Sequence, residues 1–133
     1  MPPPSFSPGK IIKLYCDWLQ KPKYFLVVNI IDDPLLLWIS SNKPAFCMSD
    51  PAIDADFLQL TKAEYMFLDH DSWLDCGEVC KRFTWPSIEY QLKFKMGWIC
   101  GPISTLTKSV ILHAVGNSQR LSTLHQRLIS EGL

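Results

Sequence analysis

Two apolar runs separated by an acidic turn dominate the first third of the chain. Tyr24–Ile31 and Leu35–Ile39 are rich in valine, isoleucine, leucine and aromatic residues, and the segment Asp32–Pro34 between them is typical of a turn. The arrangement predicts a β-hairpin. Both runs are almost continuously apolar instead of alternating, which indicates strands covered on both faces, as in a small closed barrel.

Shorter apolar segments predict further strands. Ile11–Tyr15 precedes the hairpin, whereas Phe57–Leu60 and Ser72–Cys76 follow it. Gly77–Pro86 is expected to be irregular, because the residue before a proline is biased away from helical geometry. The pattern of Ser87–Lys95 fits a short helix or a strand and does not decide between them.

The C-terminal part of the chain has helical periodicity. Ser104 is a good N-cap for a helix over Thr105–Val115, and Gly116-Asn117 is typical of its C-terminal cap. Ser118 is the expected N-cap of a second helix whose apolar residues share one face. Those apolar residues are Leu121, Leu124, Leu128 and Ile129. Strands first and helices last predict an α+β fold that is mainly β.

Length and composition indicate one soluble domain. A chain of 133 residues, 47% of them hydrophobic, is long enough for a substantial core. Four of the first eight residues are proline, so residues 1–8 are expected to form a flexible arm and residues 9–133 the domain. No apolar run reaches the roughly 18 residues of a membrane span. Five cysteines without a Cys-x-x-Cys pair or a signal peptide favour free thiols and a cytoplasmic location.

Charge is balanced overall but unevenly distributed along the chain. Residues 1–49 carry five lysines against three aspartates, residues 50–76 one lysine against seven acidic residues, and residues 77–133 seven basic against three acidic residues. Such a chain can present a cationic face to a nucleic acid. An ordinary solvated surface has the same composition, so the charges alone leave both interpretations open.

A cation and two hydroxyl groups flank the predicted hairpin. Lys23 lies at its start, and Ser40 and Ser41 lie at its end, so the three side chains can meet at one edge of a barrel. Together they would bind a phosphate and stabilise the negative charge that develops on it during cleavage. On spacing alone, a solvated lysine and turn serines are the commoner explanation.

The polar segment Asp69–Ser72 contains a candidate acid–base residue, His70. Consecutive side chains rarely point at one spot, so a turn-capping role for Asp71 or Ser72 is the alternative. Cys76 and Cys80 with His70 supply only three metal ligands, at an unusual spacing. The sequence therefore predicts neither a metal site nor a cofactor.

Trp85 stands close to two basic residues, Lys81 and Arg82. An aromatic ring beside cations can stack on a nucleobase, which makes Trp85 a candidate for RNA binding. Packing in the core of a small domain is the alternative for this ring.

Five short motifs, in order along most of the chain, resemble the PemK/MazF family of toxins from bacterial toxin–antitoxin pairs. Pro8–Ile12 is similar to the start of the family's first strand, Lys23–Asn29 to its second strand and Trp38–Ser41 to the end of its third. Ser72–Leu74 is similar to its Ser-Tyr-apolar strand. Gly101–Ser104 is similar to the Gly-x-Leu-Ser segment before its last helix.

This resemblance implies a small SH3-like barrel with C-terminal helices that acts as an endoribonuclease. The reaction expected from the family is metal-independent cleavage of single-stranded RNA, and the expected partners are a cognate antitoxin and a second copy in a homodimer. Lys23 and Ser40 occupy the places of the family's catalytic arginine and threonine, with Ser41 and His70 as further candidates.

An RNA groove is also expected, lined by Lys10, Lys21 and Lys23 and with Trp85 stacking on a base. A lysine keeps the charge of the family's arginine but loses its two-pronged hydrogen bonding to phosphate. The alternative function is therefore a barrel that has lost its catalytic activity and binds protein or nucleic acid.

Overall fold

The computed structural model describes residues 6–133 and shows an α+β fold that is mainly β. The strands are β1 (Lys10–Cys16), β2 (Lys21–Asn29), β3 (Leu35–Ser40), β4 (Phe57–Leu60), β5 (Ser72–Cys80) and β6 (Trp98–Pro102). The helices are α1 (Pro51–Asp54), α2 (Trp85–Lys93), α3 (Thr105–Asn117) and α4 (Thr123–Gly132), and Ala45–Ser49 forms a 3₁₀ helix. The predicted class, with helices at the C-terminal end, is confirmed.

The six strands form one curled antiparallel sheet in the order β4-β5-β3-β2-β1-β6. Adjacent strands in this order pair antiparallel, with β2 and β3 forming the predicted hairpin. Within residues 6–133 the pairing leaves β4 and β6 as the two edges of the sheet. The expectation of a fully closed barrel is therefore wrong for this part of the chain.

Both faces of the sheet are covered, which explains why the hairpin strands are almost continuously apolar. Leu26 and Val28 point into a core that also contains Ile111 of α3 and Ile129 of α4. The alternate side chains of the same strand point into a second core, beneath α2. Every position in the middle of β2 is thus buried, as the hydrophobic pattern predicted.

The second core includes a residue, Phe6, that lies before the predicted start of the domain. Phe6 is buried and packs edge-on against Trp85, with the ring centroids 5.0 Å apart. Residue 6 therefore belongs to the folded domain, and the expectation that the arm extends to residue 8 is wrong. The arm's residues 1–5 lie outside the described part of the chain.

The segment predicted to be irregular contains regular structure. Strand β5 continues to Cys80, and α2 begins at Trp85 with Pro86 in its first turn. Proline is tolerated there because the first N–H groups of a helix have no partner within the helix. Thr84 caps the helix by accepting a hydrogen bond from the Ser87 N–H at 3.2 Å. The segment Ser87–Lys95, for which the sequence did not decide between helix and strand, is therefore helical as far as Lys93.

The helix caps of the C-terminal region were predicted in part. The Ser104 hydroxyl accepts a hydrogen bond from the Thr107 N–H at 3.1 Å and caps α3 as expected. Gly116-Asn117 does not end that helix, since α3 runs through Asn117 and Ser118 is its C-cap. The N-cap of α4 is Ser122, not Ser118.

Gln91 of α2 continues the hydrogen-bonding pattern of the sheet, and replacing it should destabilise the protein. Its side-chain oxygen accepts from the Tyr15 N–H at 2.7 Å, and its side-chain nitrogen donates to the Tyr15 carbonyl at 2.9 Å. Gln91→Leu leaves both backbone groups unpaired, so we expect the free energy of unfolding to fall by roughly 1–3 kcal/mol. Urea denaturation measures this change. The exposed Gln119→Leu serves as a control within about 0.5 kcal/mol of wild type, and equal stabilities for the two variants would contradict the prediction.

Candidate functional site

A cleft of about 190 Å³ opens beside β1, β2 and β3, below the loop that precedes β5. Its charged lining residues are Lys13, Lys21, Lys23, Asp69 and His70, and we call it the basic cleft. Tyr24 and Ile39 form its floor, and hydroxyl groups come from Ser41 and Ser72. Three lysines and one carboxylate leave the cleft with a positive charge, which suits an anionic ligand.

Lys13 is a largely enclosed cation of the basic cleft. On the sheet it pairs with Tyr24 of β2 on one side and with Trp98 of β6 on the other. Its ammonium group lies 4.9 Å from the centre of the Tyr24 ring and 5.1 Å from that of Trp98. The Asp69 carboxylate is 3.9 Å away, and only 16% of the Lys13 side chain is exposed. Two aromatic faces and one carboxylate thus fix the position of this charge.

The loop above the basic cleft is held by Lys62. Its ammonium group donates to the carbonyls of Met66 and Leu68, and its backbone N–H donates to the Asp71 carboxylate at 2.8 Å. The Ser72 hydroxyl donates to the His70 carbonyl at 3.0 Å. Asp71 and Ser72 therefore have local structural roles, which is the alternative that the sequence offered. The His70 side chain remains exposed at the cleft.

Tyr24 ties this loop to the sheet. Its hydroxyl donates to the Phe67 carbonyl at 3.0 Å. Burial raises the pKa of Tyr24, whereas the neighbouring Lys13 ammonium acts in the opposite direction. The phenol therefore stays neutral and acts as a hydrogen-bond donor that fixes the loop, and with it Asp69 and His70, over the sheet.

Lys23 lines the cleft from a different side of β2. Side chains alternate along a strand, so Lys23 shares the face of Phe25, opposite to Tyr24 and Lys13. Burial, followed by the charge of Lys21, lowers the pKa of Lys23 from its usual value. The ammonium group of the cation proposed from the sequence is thus partly buried on the face of Phe25 and Cys16, whereas Lys13 lies on the face of Tyr24.

The sequence-predicted catalytic residues are brought together in part. Lys23, Ser41 and His70 line one cleft, as does Lys21 from the predicted RNA groove. Ser40 pairs with Trp73 of β5 and is not among the residues that line it.

Two residues of the predicted RNA groove lie elsewhere. Lys10 is at the far end of β1, where it pairs with Pro102. Trp85 is only 8% exposed, and its indole N–H donates to the Asp32 carbonyl at 2.7 Å. A ring enclosed in this way cannot stack on a base, so the assignment of Trp85 to RNA binding is wrong and the core-packing alternative holds.

The cysteines and His70 do not form a metal site. Cys76 belongs to the core beneath α3 and α4, whereas Cys80 belongs to the core beneath α2, on the opposite face of the sheet. A register shift in β5 between Leu74 and Val79 produces this change of face. Burial raises the pKa of both thiols, which keeps them protonated. In the part of the chain that the structure describes, no cluster of three metal-ligating side chains is found.

A second charged cluster lies away from the basic cleft. Arg120, between α3 and α4, donates to the Asp56 carboxylate at 2.8 Å and to both oxygens of the Asp75 carboxylate. Gly77 leaves the space that the guanidinium occupies, since a Cβ there would overlap Arg120 and Asp56. Asp75 also accepts from the Gly77 N–H at 2.9 Å. Because these carboxylates are already satisfied, the buried ion cluster has a structural role.

Sequence reasoning missed Lys13, the central residue of the basic cleft. A signal was present: Lys13 interrupts an apolar strand at a position that shares its face with Ile11, in a strand that lies between two others. A lysine on the covered face of an interior strand is uncommon unless a partner stabilises it.

Comparison with family models, with curated proteins and with solved structures finds no match. Among residues 6–133, the helices are too short or too polar to cross a lipid bilayer.

Proposed function

We propose that the basic cleft binds the phosphate backbone of single-stranded RNA and that the protein cleaves this RNA as a toxin-type endoribonuclease. The observation that carries the proposal is one cleft that holds the enclosed ammonium group of Lys13 beside the exposed His70, with Lys21 and Lys23 among its other lining residues. Cationic grooves with adjoining aromatic rings are the usual binding sites for single strands.

The chemistry assigned to the cleft is an attack within the RNA strand. The 2′-hydroxyl oxygen bonds to the adjacent phosphorus, its proton passes to a base, and the bond from phosphorus to the 5′ oxygen breaks as that oxygen gains a proton. The exposed imidazole of His70 is suited to these proton transfers. Lys13 stabilises the charge on the phosphoryl oxygens, and Ser41 donates a hydrogen bond to one of them.

The PemK/MazF resemblance supports this proposal, since it places Lys23 at the family's catalytic cation. On the same basis we propose an SH3-like relationship for the curled sheet, a homodimer, and a cognate antitoxin as partner. An acidic antitoxin segment would complement the three lysines of the basic cleft and compete with RNA for them.

A binding module without catalytic activity is the second candidate function. The observation that favours it is the orientation of Lys23, which shares the face of Phe25 and lies opposite to Lys13. Lysine also lacks the two-pronged hydrogen bonding with which arginine holds a phosphate. RNA that is bound by the cleft but never cleaved would favour this second function.

Salt dependence of RNA binding tests the cleft. We expect affinity for a single-stranded oligoribonucleotide to fall with salt, with a log–log slope of about −0.7 per phosphate contacted. Lys13→Gln should weaken binding to all sequences alike and flatten the slope by about one contact. Fluorescence anisotropy at several salt concentrations measures both effects.

Lys81→Gln is the matched control, because Lys81 is an exposed lysine that does not line the basic cleft. It should leave affinity and slope close to wild type. If Lys13→Gln and Lys81→Gln have the same slope, or if wild-type binding does not depend on salt, the RNA groove is not at this cleft.

A further inference from the structure

Trp98 is an exposed aromatic ring directly beside the basic cleft. It lies on β6, an edge strand, and 48% of its surface is exposed. Lys13 lies against the Trp98 ring, with its ammonium group 5.1 Å from the ring centre. A large indole left exposed at a sheet edge has no role in the core, unlike the buried Trp85.

A groove of about 530 Å³ adjoins Trp98 and lies outside the basic cleft. It is lined by Leu92, Lys95 and Ile99, so it combines apolar side chains with a second cation. Trp98 lines this groove, and its indole ring lies against Lys13. Lys13, Trp98 and Lys95 therefore place a cation, an aromatic residue and a second cation near one another at this edge of the sheet.

We propose that single-stranded RNA leaves the basic cleft across β6 with one nucleobase stacked on Trp98. The inference rests on the proposed function, because Lys13 would hold a phosphate next to that base. Lys95 would bind a phosphate on the far side of the ring. Stacking on an indole tolerates any base, since each base has a π face, so Trp98 adds affinity without sequence preference.

The local backbone supports a fixed position for this ring. Gly97 precedes Trp98 and lies against β1, where a Cβ would come within 2.7 Å of the Lys13 carbonyl. Lys95 has a φ of 58° and turns the chain from α2 into β6. The close approach at Gly97 holds the backbone of Trp98 in register with Lys13, whose ammonium group lies against the ring. We therefore expect little ordering of this residue on binding.

Binding to two oligonucleotides of about 12 nucleotides tests the inference, one of oligouridine and one with an abasic backbone of equal length. Trp98→Ala should weaken binding of oligouridine by about 5- to 100-fold and leave both the salt slope and the binding of the abasic strand unchanged. Trp98→Phe should retain most of the affinity, because a smaller ring still stacks. Tyr90→Ala, which removes another exposed aromatic ring outside the groove, should match wild type.

The outcomes separate this inference from the function on which it rests. If wild-type protein binds both oligonucleotides equally and Trp98→Ala changes neither affinity, base stacking is wrong while the phosphate-binding cleft stands. If wild-type protein binds neither strand, the proposed function fails and the inference fails with it. An equal loss on both strands would also overturn stacking, and circular dichroism of Trp98→Ala would then show whether the variant folds.

Discussion

Arg120→Ala is expected to lower the free energy of unfolding by roughly 3–5 kcal/mol, the largest effect on stability that we predict. The substitution leaves two carboxylates without their cation, and the Asp56 and Asp75 side chains are only 3% and 9% exposed. It also empties the space beside Gly77 that the guanidinium fills. Removing one partner of a buried ion cluster costs more than the cluster itself contributes, because the remaining charges stay desolvated.

The destabilisation of Arg120→Ala should depend on pH. Burial already raises the pKa of Asp75 in the wild type, while hydrogen bonds from Arg120 oppose this effect. Without Arg120 the folded-state pKa rises further above the unfolded value of about 3.9. The folded variant then binds more protons than the unfolded chain, so its stability rises as pH falls through the raised pKa.

Urea denaturation at several pH values measures this dependence, with Arg127→Ala as the matched control. Arg127 is exposed and pairs with Glu131 one helical turn away, at 3.8 Å. We expect that control to lose less than about 1 kcal/mol. A loss of similar size in both variants, or a destabilisation of Arg120→Ala that grows as pH falls, would contradict the structural role of the buried ion cluster.

His70→Ala should reduce the rate of RNA cleavage by about 10²- to 10⁴-fold, which is the usual contribution of one acid–base residue. The affinity for RNA should change little, because the lysines of the basic cleft remain. Stability should also be retained, since the His70 side chain is exposed and the carbonyl that accepts from Ser72 is kept.

Cleavage of a labelled oligoribonucleotide under single-turnover conditions measures the effect of His70→Ala. The control is His113→Ala, which removes an exposed imidazole of α3 away from the cleft. It should cleave at the wild-type rate. If His70→Ala is as active as His113→Ala, the imidazole has no part in proton transfer and another group in the cleft must supply it.

Much of the sheet could be predicted because its signals are local. The acidic turn at Asp32–Pro34 and the aliphatic runs beside it specify the hairpin, and their lack of alternation predicted burial of both faces. Ser104 caps α3 as expected, since its hydroxyl needs only the N–H three residues ahead. Helix α2 escaped prediction because Pro86 is a helix-breaking signal except in a first turn, and only the position of Thr84 reveals that turn.

The site was predictable to a smaller extent, because it depends on register. Sequence proximity at the hairpin predicted Lys23 and Ser41, and the structure brings both to the cleft together with His70. The central position of Lys13 follows from pairing with Tyr24 on one side and Trp98, 85 residues later, on the other. A single chain does not reveal such distant pairings, nor the placement of Trp85 in the core.

Incubation of purified protein with single-stranded RNA in EDTA tests the central claim most directly. We expect fragments that end in a 2′,3′-cyclic phosphate and begin with a 5′-hydroxyl, formed by wild-type protein and lost in His70→Ala. RNA that stays intact with protein in excess, under conditions in which binding is saturated, would contradict the claim that the basic cleft is a catalytic site.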